Sequence, residues 1–203
     1  NETGAVILDT RDAQVFAHGF IPNSINIGIN GNFAPWVGTL IPDIRQPILI
    51  VADEGKEEEV VTRLARVGYD HAIGYLDGGF EVWKLAGKQI DQIRSISADE
   101  LAEVMREKPV QILDVRRKSE YDSEHLVDVE NAPLDYINES MLKVDKNKTT
   151  YVHCAGGYRS MSFASILRAR GYDNIIDVKG GYKAIKESGK FPTTSYVKPI
   201  TEL

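Results

Sequence analysis

The sequence predicts an α/β protein in which one unit occurs twice, each copy a central, mostly parallel sheet with helices on both faces. Three observations predict this. The chain repeats itself in order. Short strands rich in Val, Ile and Leu alternate with helical patterns, as in a parallel sheet covered on both faces. The only cysteine follows directly on one of those strands, and ligands of parallel sheets sit beyond the carboxyl ends of the strands.

The repeat is visible residue by residue. Leu8-Asp9-Thr10-Arg11 answers Leu113-Asp114-Val115-Arg116, 105 positions later, and Phe16 and Asn26 answer Tyr121 and Asn131 at the same offset. Gly68-Tyr69-Asp70 answers Gly171-Tyr172-Asp173, Gly78-Gly79-Phe80 answers Gly180-Gly181-Tyr182, and Gly87-Lys88 answers Gly189-Lys190. The order is kept while the offset drifts from 105 to 102, so two homologous domains are the simplest account. They are expected at residues 1–90 and 91–203, with the join between Lys88 and Ile96.

In the first half, strands fit residues 5–8, 24–27, 48–51 and 72–75, and helices fit 12–17, 56–67 and 80–85. In the second, Ser97-Ala98-Asp99-Glu100 is a capping box that opens a helix running to about Glu107. Strands follow at 110–113, 129–131, 149–153 and 175–178, and helices at 118–122, 159–170 and 181–187. The first half has no partner for the Ile96–Glu107 element, and the chain starts at Asn1 and enters a strand almost at once. The expectation is a longer polypeptide whose upstream part completes the first domain.

Composition narrows the partners. A net charge of −6 gives no support for nucleic-acid binding, while leaving room for a local basic site that takes a small anion. One cysteine cannot form an internal disulfide, which fits a reducing, cytoplasmic compartment. No apolar run approaches the roughly 20 residues that span a bilayer, and no signal-peptide pattern opens the chain, so no membrane partner is expected. His18, His71, His125 and His153 lack metal-ligand spacing, so neither metal nor cofactor is expected.

Chemistry concentrates in Tyr151-Val152-His153-Cys154-Ala155-Gly156-Gly157-Tyr158-Arg159-Ser160. It reads as strand, cysteine, amide-lined loop and helix N-terminus. A thiolate, the nucleophilic form of cysteine, is favoured by a helix N-terminus, nearby cations and oriented amides. Gly156 and Gly157 let the backbone turn its N–H groups inward, and Arg159 brings a planar fork suited to an oxyanion. From Cys154 to Arg170 there are three arginines and no acid. By residue type alone a single cysteine is most often a small buried apolar group; two glycines and an arginine after it, at a strand-to-helix junction, point instead to a nucleophile. Asp9/Arg11 and Asp114/Arg116 are expected to be structural ion pairs rather than catalytic groups, because the pair also occurs in the half without cysteine.

These residues resemble the rhodanese family of sulfurtransferases in tandem. The landmarks are Leu113-Asp114-Val115-Arg116, Glu120-Tyr121, His125-Leu126, Asn131, Pro133-Leu134, Val152-His153-Cys154, Arg159-Ser160, Gly171-Tyr172 and Val178-Lys179-Gly180-Gly181-Tyr182. The loop has four residues between cysteine and arginine. This resembles a rhodanese rather than a dual-specificity or tyrosine phosphatase, whose loops carry five to fit a phosphate. Phe20-Ile21-Pro22-Asn23-Ser24-Ile25-Asn26-Ile27 and Asn32-Phe33-Ala34-Pro35-Trp36-Val37-Gly38 look like the rhodanese pair at the C-terminus of metallo-β-lactamase–rhodanese fusions. Two departures stand out. Glu124-His125-Leu126-Val127-Asp128-Val129 replaces the family's Gly-His-Ile-Pro-Gly-Ala, and Ile185 stands near the place of a familiar tryptophan.

The resemblance implies a Cys154 persulfide that moves sulfane sulfur from thiosulfate or a low-molecular-weight persulfide to a thiol or cyanide. Cys154 would be catalytic. The amides of Ala155, Gly156, Gly157, Tyr158 and Ser160, with Arg159, would hold the anion, and Asp114 and Arg116 would support the site. Tyr158 would shape the pocket rim or simply pack. The alternative is a non-catalytic sulfur carrier or interaction module of a larger sulfide-detoxifying polypeptide, with a metallo-β-lactamase-fold domain upstream. An arsenate-reductase or phosphatase activity is disfavoured by the short loop. In the first half the matching stretch, Val51-Ala52-Asp53-Glu54-Gly55-Lys56-Glu57-Glu58-Glu59, has no cysteine and five acids against one lysine. That domain is expected to be inactive.

Overall fold

A computed structural model describes residues 4–198 of the chain. It divides into two compact units, residues 1–93 and 94–203.

The first unit runs β1 (Val6–Asp9), α1 (Ala13–His18), β2 (Ile25–Asn26), α2 (Phe33–Leu40), β3 (Ile48–Val51), α3 (Glu57–Ala65), β4 (Ala72–Tyr75) and α4 (Gly79–Leu85). Its strands form one sheet in the order β2-β1-β3-β4, and every pairing is parallel. Ile48, Ile50 and Val51 are buried in β3, as a central strand covered on both faces requires.

The second unit opens with β5 (Ser95–Ile96) and α5 (Ala98–Glu107), followed by β6 (Gln111–Asp114), α6 (Lys118–Ser123) and β7 (Glu130–Asn131). A 3₁₀ turn, α7 (Ile137–Ser140) and a second 3₁₀ turn lead to β8 (Thr150–His153), α8 (Tyr158–Ala169), β9 (Ile175–Val178) and α9 (Gly181–Ser188). The sheet order is β5-β9-β8-β6-β7, again parallel throughout. Within this order β7-β6-β8-β9 repeats β2-β1-β3-β4, so the sequence repeat is a repeat of topology.

The capping box at Ser97 is present in full. The Ser97 hydroxyl accepts from the Glu100 N–H and the Glu100 carboxylate accepts from the Ser97 N–H. Three elements depart from the periodicity reading. Helix α2, in a stretch to which the sequence assigned no element, carries Pro35 and Gly38. Pro35 is its third residue, where an N–H has no intrahelical partner to lose, and Phe33, Trp36 and Val37 supply a buried stripe at helical spacing. The broken helical run from Leu134 to Lys143 has no side-chain caps. Strand β5 is two residues long, pairs with β9, and has one apolar residue, Ile96, between Ser95 and Ser97.

Helix α8 is buried from Ser160 through Leu167 on all its faces. Removing side chains such as Phe163 and Leu167 from water contributes about 1.5–3 kcal/mol each. This packing fixes the helix, and its N-terminus points at the residues after β8. Among the described residues, no helix is long and apolar enough to cross a membrane.

Candidate active site

Strand β8 delivers Cys154 at the carboxyl edge of the second sheet. Three residues on, Gly157 adopts φ 99° and stands at the N-cap of α8. Only glycine takes this left-handed conformation without strain. It aims the Gly157 N–H at the Cys154 sulfur, 3.1 Å away. The loop carbonyls face the other way, onto the start of α9. The Tyr182 N–H donates to the Cys154 carbonyl at 2.6 Å and the Lys183 N–H to the Ala155 carbonyl at 3.1 Å. Helix α9 thus takes the carbonyls and leaves amide to the sulfur.

Cys154 is 1% exposed. Its loop neighbours Ala155 and Gly156 are exposed, Gly157 and Ser160 are buried, and Tyr158 and Arg159 lie between these extremes. The Ser160 Oγ is 3.6 Å from the sulfur. That hydroxyl also donates to Asp177 Oδ1 at 2.7 Å, and the Ser95 hydroxyl donates to Asp177 Oδ2 at 3.0 Å. Asp177 is fully buried at the end of β9.

Arg159, the cation of the loop, is 15% exposed. Its Nη2 donates to Glu120 Oε1 at 2.8 Å and its Nη1 to Glu120 Oε2 at 2.5 Å. Burial opposes the guanidinium charge. The Glu120 hydrogen bonds and charge, with Cys154 and Asp114 adding to them, outweigh burial and raise its pKa. For Glu120, burial pushes the carboxyl up, but Arg159, with help from the Arg117 amide and Arg116, holds it below the usual carboxylate range.

His153 precedes the cysteine and is fully buried. Burial pushes its imidazole below the ordinary histidine pKa, against the pull of Asp114. Nδ1 lies 3.3 Å from the Cys154 carbonyl, and Nε2 has no hydrogen-bond partner among the described residues.

Asp114 and Arg116 form a buried bidentate pair, with the Nη2 to Oδ2 contact at 2.6 Å. Arg116 also donates to the Glu124 carbonyl at 2.8 Å, and its guanidinium lies 4.1 Å from the Tyr182 ring centroid. Every part of this arrangement recurs in the first unit. Arg11 pairs with Asp9 at 2.6 Å, donates to the Gly19 carbonyl at 2.9 Å and covers the Phe80 ring at 4.3 Å. Asn26 and Asn131 donate to the equivalent carbonyls, those of Asp9 and Arg11 and of Asp114 and Arg116. In both units the pair ties a strand end to the helix after it and to the final helix.

The first unit therefore keeps the scaffold of the site without its cysteine. Ala52 stands after β3 where Cys154 stands after β8, and Gly79 backs its carbonyl as Gly181 backs that of Cys154. The next helix, α3, opens with Glu57, Glu58 and Glu59, while Asp53 and Glu54 are exposed in the preceding loop.

The structure brings the Gly157 amide and the Ser160 hydroxyl to the Cys154 sulfur, sets the Arg159 guanidinium on Glu120, and adds two residues that local reading passed over. Glu120 was visible only as one of the landmarks. Asp177 had a fainter signal, an acid inside the apolar run Ile175-Ile176-Asp177-Val178.

The rhodanese-like domain family model matches residues 1–86 and 97–188. The thiosulfate sulfurtransferase GlpE of Coxiella burnetii is 29% identical over 93 residues, which are 46% of this chain and 87% of that protein. An uncharacterized protein of Synechocystis is 33% identical over 95 residues, 47% of this chain and 53% of that protein. The protein YqhL of Bacillus subtilis is 32% identical over 73 residues, 36% of this chain and 58% of that protein. The chain thus spans little more than half the length of the latter two. Among solved structures, a rhodanese-like domain protein from Staphylococcus aureus is 37% identical with a TM-score of 0.44, covering 46% of this chain and 91% of that one.

Proposed function

We propose, from the premise that this chain belongs to the rhodanese-like domain family, that it is a sulfurtransferase whose nucleophile is Cys154. The observation that carries the reading is the Gly157 N–H on the Cys154 sulfur at the N-terminus of α8. An amide and a helix terminus aimed at one atom favour negative charge there, whether on the thiolate or on a persulfide that replaces it.

The Cys154 thiolate attacks the outer sulfur of a sulfane donor. With thiosulfate, the S–S bond breaks, sulfite leaves with the bonding electron pair, and Cys154 becomes a persulfide. With an organic persulfide the leaving group is a thiolate. An acceptor thiolate or cyanide then attacks the outer sulfur of the cysteine persulfide, forms a new disulfide-type or C–S bond, and returns the Cys154 thiolate. The loop amides hold the anion through both steps; the Arg159 guanidinium beside them is paired with Glu120. The domain at residues 1–90 is structural in this reading, since Ala52 stands in the place of the nucleophile. The location is cytoplasmic, consistent with a lone free thiol.

A second reading is favoured by the burial of Cys154: a sulfur carrier that accepts a persulfide from a partner domain and hands it on, with slow turnover of free donors. Mass spectrometry after thiosulfate treatment, paired with a thiocyanate assay on wild type and Cys154→Ser, separates the two. The enzyme gains one sulfur atom at Cys154 and forms thiocyanate catalytically; a carrier gains the sulfur and turns over slowly. No adduct and no thiocyanate would refute both.

A further inference from the structure

We propose that Glu120 is a specificity-determining residue. It neutralises Arg159 and so turns the Cys154 site away from the thiosulfate dianion and toward organic persulfides. The inference rests on the sulfurtransferase reading and names the donor class for it.

The loop from Cys154 to Arg159 holds one cation, Arg159. An oxyanion would use its two Nη groups as a fork. In this structure both are already on the Glu120 carboxylate, at 2.5 and 2.8 Å. The pair is not a passing surface contact. Arg159 is 15% exposed and Glu120 35%, and Oε2 also accepts the Arg117 N–H at 3.2 Å, so α6 presents the carboxylate in a fixed place. Arg159 is the second residue of α8, two after the Gly157 whose N–H meets the Cys154 sulfur, which puts arginine, carboxylate and sulfur in one electrostatic group.

The charge count follows. Arg159 and Glu120 cancel, and the Cys154 thiolate leaves the group at −1. Arg117, three residues before Glu120, is exposed and lies 3.3 Å from the Asp135 carboxylate. Lys179, on the turn into α9, and Lys183, in its first turn, are exposed and act through solvent that screens them. A dianion entering here must displace Glu120 from Arg159 or lie beside both carboxylate and thiolate. The reacting S–S end of an organic persulfide carries at most one negative charge and releases a thiolate rather than sulfite. The neutral pair withholds from thiosulfate the cation that a dianion needs, and such a donor needs it less.

Glu120→Gln keeps the shape of the side chain and a hydrogen-bonding oxygen for the Arg117 amide while removing the charge. Glu120→Asp keeps the charge. In a Cys154→Ser background, thiosulfate affinity is measured by titration calorimetry. In the protein retaining Cys154, kcat/KM is measured for thiosulfate and for cysteine persulfide. A unit charge within about 4–6 Å shifts a neighbouring equilibrium by roughly one to three pK units. Glu120→Gln is therefore expected to bind thiosulfate at least about tenfold tighter and to raise the thiosulfate-to-persulfide ratio of kcat/KM by a similar factor, whereas Glu120→Asp stays near wild type. Unchanged or weaker thiosulfate binding in Glu120→Gln overturns the inference, and so does a loss of turnover shared equally by both donors. Tighter binding with no sulfur transfer from either donor upholds the charge screening and instead refutes the sulfurtransferase reading.

Discussion

Gly181 presses its backbone against the carbonyl of Cys154: a Cβ at Gly181 would lie 2.3 Å from that oxygen and 2.8 Å from the Ala155 carbonyl carbon. The contact joins the end of β8 to the start of α9, with the Tyr182 and Lys183 amides completing it. No side chain fits there, and φ is +57°, so glycine is required twice over.

Gly181→Ala is expected to cost about 3 kcal/mol or more, from overpacking plus a left-handed backbone. Gly189→Ala is the control. Gly189 also has positive φ, but a Cβ there meets nothing within 4 Å, so only the conformational cost of roughly 1–2 kcal/mol applies. Urea denaturation of both variants checks the difference. Equal losses would show that the Cys154 contact yields without cost.

The Ser160–Asp177 hydrogen bond should behave as a coupled unit. Asp177→Ala leaves the Ser160 and Ser95 hydroxyls without this acceptor in a buried site, and is expected to cost about 2–4 kcal/mol. Ser160→Ala is expected to cost about 1–2 kcal/mol. In a double-mutant cycle the two losses should fall short of additivity by at least about 0.5 kcal/mol. Additive losses would mean that the hydroxyl and the carboxylate act independently.

Placing a cysteine at position 52 should not create a second active site. The backbone there is prepared, with Gly79 behind the Ala52 carbonyl, but Asp53, Glu54, Glu57, Glu58 and Glu59 crowd the loop and the first turn of α3. Like charge disfavours both a thiolate and an anionic donor. The Ala52→Cys, Cys154→Ser double variant is expected to give no thiosulfate-dependent thiocyanate above the Cys154→Ser background. Measurable turnover would contradict the assignment of the first unit as structural.

His153 should make the fold acid-sensitive in a defined window. Its imidazole is buried and held below the ordinary pKa, so the folded chain keeps it neutral while the unfolded chain takes up a proton below about pH 6.5. Stability is then full above that pH and declines as the pH falls through it toward the lower folded value. The urea midpoint should fall more steeply between pH 7 and 5.5 in wild type than in His153→Gln. Parallel slopes would exclude His153 as the source.

Much of the architecture was legible locally. Strand spans read from Val, Ile and Leu runs fall within a residue or two of the observed ones for most strands, because a covered parallel strand must be apolar on both faces. The Asp-X-Arg motifs at 9–11 and 114–116 were legible as ion pairs because the two residues stand two apart at a strand end in both halves. Helix α2 was not legible, since Pro35 and Gly38 look like breakers until the position of Pro35 in the first turn is known. Ser95–Ile96 was hidden because its one apolar residue stands between two serines and leaves no run to read.

The site divides along the same line. The order Cys154, Gly156, Gly157, Arg159, Ser160 by itself determined that an amide-lined turn would follow a strand and open a helix, because φ preferences and helix termini are properties of neighbouring residues. What Arg159 and Ser160 face was decided only by the tertiary structure. Glu120 lies 39 positions before Arg159 and Asp177 lies 17 after Ser160, and neither distance carries a periodicity. Parallel strand order sets β9 beside β8 and β6 on its other side, which brings the end of β9 and the helix after β6 to the same edge. There a loop that reads as uniformly basic along the chain becomes, in space, a matched pair of charges beside a sulfur.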